Sequence, residues 1–367
     1  MLSLARTQAV LRAGVAAQVH AGAQLALVHR GELVECGVGL ARPDRQIRPE
    51  SILLWMSSTK PLMSVAIGQL VERGLVDFDD PVAKHLPEFA ANGKEGITLR
   101  HLLTHTAGIP NAHKQWSRES WDEIVAKICA AALEPGFAIG VDCEYHVASA
   151  WYVLGEIVRR RDGRTYGDYV RQAIFAPLGS ADFWVGMSAA DYDAHKARIA
   201  HPYDALQGPP AKPISFWAWS GSQESLAICR PGGSGWGSAR ALALFYDALL
   251  RGGAPLLRSD TLQSLTTCAL PGVQDRAFGP LNRALGFVRD SKYYGSISAW
   301  YGPRCSPNAY GHAGFACSVA FADPGYDLAL ALAFNGFARA EEHHQRSQAA
   351  LAAIYEDLRL SVSAGTR

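Results

Sequence analysis

Ser57-Ser58-Thr59-Lys60 set a hydroxyl and an amine three residues apart, just ahead of an apolar run that reads as a helix from Pro61 through Arg73. Residues i and i+3 share one helical face. A lysine held against a serine can take its proton once burial or a nearby charge lowers the lysine pKa. Ser58 lies only two residues from Lys60 and points away from it on a helix, so Ser57 is the candidate nucleophile. Pro61 lacks an N–H and fits only a first turn, which pins Ser57 near the helix N-cap. There the serine amide can face a developing oxyanion, a geometry suited to acyl transfer. The bland alternative is a capping serine beside a solvated lysine.

The chain that must position this pair has 367 residues, 49% hydrophobic and 19% charged, enough for one large or two ordinary domains with a sizeable core. A net charge of +1 without long runs of one sign gives no sign of nucleic acid or an anionic membrane as partner. No apolar run reaches the roughly 18 residues of a transmembrane helix. Met1 to Gly22 reads as an amphipathic helix interrupted by Arg6 and Arg12, not as a signal peptide. The seven cysteines are scattered and form no C-x-x-C pair, which argues for a reducing cytoplasm and against a disulfide framework or structural zinc.

Gln24–His29 and Glu32–Gly39 read as strands joined by a turn at Arg30-Gly31. Residues 97–105, Glu119–Ala132, Ala148–Arg161, Ser238–Arg251 and Glu341–Leu360 read as helical, and Ser188–Arg230 as a long irregular segment. Arg283–Val288, Tyr310–Ala322 and Asp327–Asn335 are strand candidates. Strands at both ends and helices between them suggest one α/β body with an inserted helical region.

The motifs then carry a resemblance. Trp55 to Pro61 holds the Ser-x-x-Lys motif; Gly74 to Pro81 with Leu86-Pro87 is similar to a G-x-L-x-L-D-D-P stretch; Ile97 to Pro110 matches T-x-R-H-L-L-T-H-T-S-G-L-P almost residue for residue. Glu134-Pro135-Gly136, Tyr145 and Leu154-Gly155 follow, then Pro231-Gly232-Gly233, then Gly311-His312-Ala313-Gly314 with Asp323-Pro324. The sequence resembles the serine β-lactamase and penicillin-binding-protein superfamily, in particular its class C-like esterases, D-peptidases and acyltransferases. The resemblance implies a β-lactamase-like α/β fold: an antiparallel sheet flanked by helices and built from both chain ends. It implies a single catalytic domain over 1–367, with the α/β part at about 1–75 and 275–367 and a helical and irregular part at about 76–274.

It further implies that Ser57 attacks a carbonyl carbon while Lys60 and Tyr145 share its proton. A phenol needs a neighbouring cation to act as a base, and Lys60 is the one in view. The oxyanion hole would be the amides of Ser57 and Phe315. Two departures matter. The usual Tyr-x-Asn is here Tyr145-His146-Val147, so the asparagine is missing and His146 is a candidate for its work. The usual Lys-Thr-Gly is His312-Ala313-Gly314, and a mostly neutral imidazole binds a β-lactam carboxylate poorly.

His312, Gly314, His146, Trp217, Trp219 and Trp300 are therefore the candidate substrate contacts; loop tryptophans either line an apolar pocket or pack loops onto the body. His101 and His105 have metal-ligand spacing but no surrounding metal motif, and Gly233-Ser234-Gly235-Trp236-Gly237 only superficially resembles a phosphate loop. No metal or cofactor is expected. The first reading is a carboxylesterase acting through an acyl-enzyme on a small-molecule ester. The alternatives are an acyltransferase, a D-amino-acid amidase or peptidase, and a non-catalytic binding protein on the same fold.

Overall fold

The structure, a computed structural model, describes residues 2–111, 119–214 and 219–360. Helix α1 (Ala5–Ala16) leads into strands β1 (Gly22–His29) and β2 (Glu32–Arg42), joined where Arg30 and Gly31 both take positive φ. That is the turn geometry whose twist suits a two-residue hairpin. A short β3 (Arg45–Gln46) completes the N-terminal strands. The C-terminal part supplies β4 (Leu270–Asp275), β5 (Gly279–Arg283), β6 (Val288–Arg289), β7 (Tyr310–Gly314), β8 (Ser318–Asp323) and β9 (Leu328–Asn335). Together they form a nine-stranded antiparallel sheet in the order β3-β2-β1-β9-β8-β7-β6-β5-β4, so the two chain ends meet at the β1–β9 pair.

The run Leu-Ala-Leu-Ala-Leu-Ala in β9 shows how the sheet is covered. Side chains alternate across a strand. Leu328, Leu330 and Leu332 face α1 and the closing helix (Ala340–Asp357), together with Leu25, Leu27, Leu351 and Ile354. Ala329, Ala331 and Ala333 face the other way, where their small size lets helix Ala239–Leu250 lie close against the sheet. With both faces covered, the strand is apolar throughout. Each buried leucine contributes about 1.5–3 kcal/mol.

The middle of the chain provides α2 (Lys60–Glu72), α3 (Leu99–Leu103), α4 (Trp121–Ala130) and α5 (Ser149–Asp162), followed by the sheet-packing helix α6 (Ala239–Leu250); the closing helix is α7 (Ala340–Asp357). A small second sheet pairs Gly235–Gly237 with Leu53–Leu54 on one side and Phe183–Val185 on the other.

Three expectations change. Arg283–Val288 is not one strand: Arg283 ends β5, Val288 opens β6 and pairs with it, and residues 284–287 form the turn between them, with Gly286 at φ +76°. A Cβ there would lie 1.9 Å from Ser64 Oγ, so the chain must turn where it crosses α2. Tyr310–Ala322 is the β7–β8 hairpin instead of one strand, with Ala316 in the left-handed region. Ser188–Arg230 holds short helices at Ala189–His195 and Gln223–Ala227 as well as irregular chain.

Candidate active site

Ser57 lies near the helix N-cap, as expected, but the N-cap itself is Thr59. Ser57 belongs to a 3-10 turn, Met56–Thr59, that runs directly into α2. The turn is clamped from two sides. From the small sheet, the Trp55 amide donates to Gly235 O at 2.8 Å, Trp55 Nε1 donates to Gly237 O at 3.0 Å, and the Gly235 amide donates to Thr59 Oγ1 at 3.1 Å. From the large sheet, Ser318 Oγ donates to Trp55 O at 2.7 Å and Ser58 Oγ donates to His312 O at 3.1 Å. Ser58 is thus buried and engaged, while Ser57 remains partly exposed. Met56, just before the serine, is a non-glycine residue at φ +46°. Such a conformation costs on the order of 1–3 kcal/mol and persists only where surrounding structure dictates it.

Lys60 is fully buried. Its Nζ lies 2.8 Å from Gly232 O, 3.3 Å from Val147 O and 3.1 Å from Ser57 Oγ. Burial pushes its pKa well below the usual lysine value, and the Arg283 guanidinium pushes it further. A neutral amine has two N–H groups and one lone pair. Two backbone carbonyls accept the N–H groups, which leaves the lone pair for the Ser57 hydroxyl.

Tyr145 and Ser57 share a hydrogen bond. The Lys60 ammonium position is 4.8 Å from the Tyr145 ring centroid and the Arg283 guanidinium 5.7 Å. Burial nevertheless raises the phenol's pKa, outweighing the Ser57 hydrogen bond and Arg283. Both shifts favour the uncharged forms, a neutral Lys60 and a protonated Tyr145, which bears against Tyr145 serving as a base activated by Lys60. Arg283 is itself buried and ion-paired with Asp275, whose other oxygen accepts the amides of Ala277 at 2.8 Å and Phe278 at 3.2 Å. Phe278 then packs edge-on against Tyr145, with centroids 5.1 Å apart.

On the third side, β7 brings His312 to 6.0 Å from the Tyr145 ring and 5.4 Å from Trp300. His312 Nδ1 lies 2.6 Å from Ala313 O and so carries the proton. Burial pushes the imidazole's pKa well below its usual value; a charge on Lys60 would push it further, and the Arg283 guanidinium acts in the same direction. Gly314 is required by close approach: a Cβ would lie 2.3 Å from Trp55 O. The Phe315 amide follows at the hairpin turn and has no backbone acceptor among the described residues; its side chain is 60% exposed.

The remaining expected contacts divide. Trp300 packs against His312, at 5.4 Å, and Phe278, at 5.5 Å. Trp219 is buried in an apolar cluster with Met56, Trp184 and Trp236, and supports the turn from beneath instead of lining a pocket. Trp217 lies outside the described residues. His146 does not take the missing asparagine's place. Exposure alternates along this segment, with Val147 42% exposed and His146 2%, so the His146 ring packs inward beside His105, at 5.5 Å. Burial and Arg283 push its pKa down to about 3. The glycine-rich 233–237 segment is the central strand of the small sheet, not a phosphate loop. Among the described residues no cluster of three or more metal-ligating side chains occurs.

Arg283 and Asn111 were not foreseen. Arg283 looked like an ordinary strand residue. Asn111 Oδ1 accepts the amides of Val147 at 3.1 Å and Ala148 at 3.3 Å, capping the entry to α5. The proline-flanked loop it belongs to offered no sequence signal for that contact.

A sheet built from both chain ends, with a Ser-x-x-Lys turn wedged between it and the helical part, defines the β-lactamase-like fold. A penicillin-binding-protein homologue from Caulobacter crescentus has the same fold, with a TM-score of 0.77 and 29% identity over 95% of this chain and 97% of that one. The chain belongs to the beta-lactamase family, whose sequence model matches residues 7–354. Esterase/beta-lactamase LipL of Mycobacterium tuberculosis is 27% identical over 310 residues, 78% of this chain and 70% of LipL. Esterase EstB of Burkholderia gladioli is 30% identical over 231 residues, 57% of this chain and 56% of EstB.

Proposed function

We propose that this protein is a serine hydrolase that cleaves uncharged carboxylic esters through an acyl-enzyme, with the whole chain acting as one catalytic domain. The observation that carries the reading is Lys60 Nζ, buried, held by two carbonyls, and 3.1 Å from Ser57 Oγ. Ser57 Oγ attacks the ester carbonyl as its proton passes to Lys60. The carbonyl oxygen, now negative, is met by the Ser57 and Phe315 amides. The C–O bond to the alcohol breaks, the departing oxygen takes the Tyr145 proton, and the proton on Lys60 makes good the phenol's loss. Water then repeats the sequence in reverse and frees the acid. An alcohol in place of water gives acyl transfer from the same intermediate, and an amide in place of the ester gives amidase action.

Ester is preferred to β-lactam because the group at the third motif, His312, is a neutral imidazole with no cation to offer a carboxylate. Trp300 and Phe278, stacked edge to face at 5.5 Å, and the exposed Phe315 favour an apolar acyl or alcohol group. The unpaired cysteines, five of the seven buried, support a reducing compartment such as the cytoplasm. No helix among the described residues is long and apolar enough to cross a membrane.

Turnover of a p-nitrophenyl ester series by wild type and Ser57→Ala tests the reading. Loss of turnover in the variant is expected; retained turnover overturns it. Adding alcohols and amines measures how the acyl-enzyme partitions between water and other acceptors.

A further inference from the structure

The Tyr145 phenol is carried by a segment without helix or strand, since residues 144–147 form neither. Something else must fix the phenol beside Ser57. Both backbone amides that flank it go to one residue. The Glu144 amide donates to His105 O at 3.0 Å, and the His146 amide donates to His105 Nδ1 at 2.8 Å. The His105 ring also lies 4.8 Å from the Tyr145 ring at an interplanar angle of 31°. One histidine thus holds the residue before Tyr145, the residue after it, and the ring itself.

His105 reaches this position by an unusual backbone. It ends α3 at φ +64°, in the left-handed region. Its amide still closes the helix by donating to Leu102 O at 3.3 Å, while its carbonyl and imidazole both serve the tyrosine segment. Left-handed non-glycine residues tend to sit where function over-determines the backbone.

We propose that His105 is the positioning residue of Tyr145, setting the phenol's place against Ser57 through Nδ1 as a hydrogen-bond acceptor. Nδ1 can accept only while unprotonated. The groups facing the ring are Arg283 from β5, His146 from the tyrosine segment, Lys60 from α2 and His312 from β7; the Arg283 guanidinium repels a charge on it, and the other three would do so whenever they were protonated. Burial acts in the same direction, so the acceptor form is kept. His105 does not touch substrate; it acts through Tyr145. The proposal rests on the reading of Tyr145 as the acid that protonates the leaving alcohol.

That chemistry supplies a readout which a merely structural role would not move. A p-nitrophenolate leaves without needing a proton, whereas an alkoxide needs one. The test compares kcat/KM, which is blind to the deacylation step the two substrates share, for an alkyl ester and a p-nitrophenyl ester of the same acid, on Tyr145→Phe, His105→Phe, His105→Gly and His105→Asn. Tyr145→Phe, the control for the underlying reading, is expected to slow the alkyl ester far more than the nitrophenyl ester. If it slows both equally, the role given to Tyr145 fails.

His105→Phe keeps a ring and removes the acceptor. It is expected to lower kcat/KM, which reports steps through acylation, on the alkyl ester by about 30- to 100-fold, the scale of a misplaced catalytic group, and on the nitrophenyl ester by less than about 3-fold. His105→Gly suits the left-handed backbone and keeps the acceptor-loss test open if the phenylalanine variant does not fold. His105→Asn tolerates the same backbone and returns an acceptor oxygen, so it is expected to recover the alkyl ester rate to within about 5-fold of wild type. Equal losses on both esters in the variants lacking the acceptor, or no loss, overturn the proposal when Tyr145→Phe discriminates. A failure of His105→Asn to recover more than His105→Gly overturns it as well.

Discussion

Ser57 and Lys60 hang from regular elements, whereas Tyr145 hangs from none. The serine turn is stitched by main chain to a small sheet on one side and tied by Ser58 and Ser318 to the large sheet on the other, and the lysine opens α2. The tyrosine segment is held by side chains reaching in from elsewhere: His105 from the end of α3, Asn111 from the following loop and Phe278 from the β4–β5 turn. Backbone clamps fix a nucleophile whatever the neighbouring side chains are. Side-chain clamps can be altered one substitution at a time. The second kind of support is where the proton relay can be tuned without disturbing the nucleophile.

The largest effect should come from removing the base on the firmly held side. Lys60→Met is expected to lower kcat by about 10³-fold or more while the protein stays folded, because an apolar stem suits that buried site better than a lone amine. Near-wild-type kcat in that variant would break the assignment of base. The next effect joins the two sides. Arg283 repels a charge on both Lys60 and His105 and is paired with Asp275. Arg283→Met leaves the buried Asp275 carboxylate without its counter-ion, at a cost of about 3–5 kcal/mol measured by denaturant unfolding.

The same variant should move the acid limb of kcat/KM to higher pH. With Lys60 as the proposed base, wild-type activity is expected to fall as pH drops through the lowered pKa of Lys60, because an ammonium cannot take the Ser57 proton. Without Arg283 that pKa rises, so the loss begins at a higher pH. An acid limb that stays in place would show that Lys60 does not set it.

Two smaller changes sharpen the contrast. Gly235→Ala puts a Cβ 2.4 Å from Thr59 Oγ1 and 2.7 Å from Phe183, against the backbone clamp of the serine turn. It is expected to cost about 1–3 kcal/mol of stability and to slow both ester types alike, because it displaces the nucleophile. Asn111→Ala removes the acceptor for two amides beyond Tyr145. A loss of about 1 kcal/mol is expected, with less than a tenfold drop in kcat/KM concentrated on the alkyl ester.

The firmly held side was the one legible in the sequence. Ser57 and Lys60 announce themselves by spacing, Pro61 marks the helix start, and alternating apolar residues mark β1 and β9. Tyr145 was legible only through its place among the motifs. His105, Arg283 and Asn111 were not, because their roles depend on contacts between segments far apart in the chain, which no local period encodes. The β5–β6 turn was misread as strand for the same reason: Gly286 turns because Ser64 of α2 is in the way. His146 was misassigned because its neighbour Tyr145 faces the serine, and only the alternation of exposure shows that it faces inward.

The central claim is that Ser57 carries the acyl group, and peptide mapping by mass spectrometry after trapping with a fluorophosphonate ester tests it most directly. The account predicts a single adduct on the peptide containing Ser57, placed on Ser57 and not Ser58, and none in Ser57→Ala. An adduct on another residue, or a Ser57→Ala protein that still turns over esters at the wild-type rate, would contradict it.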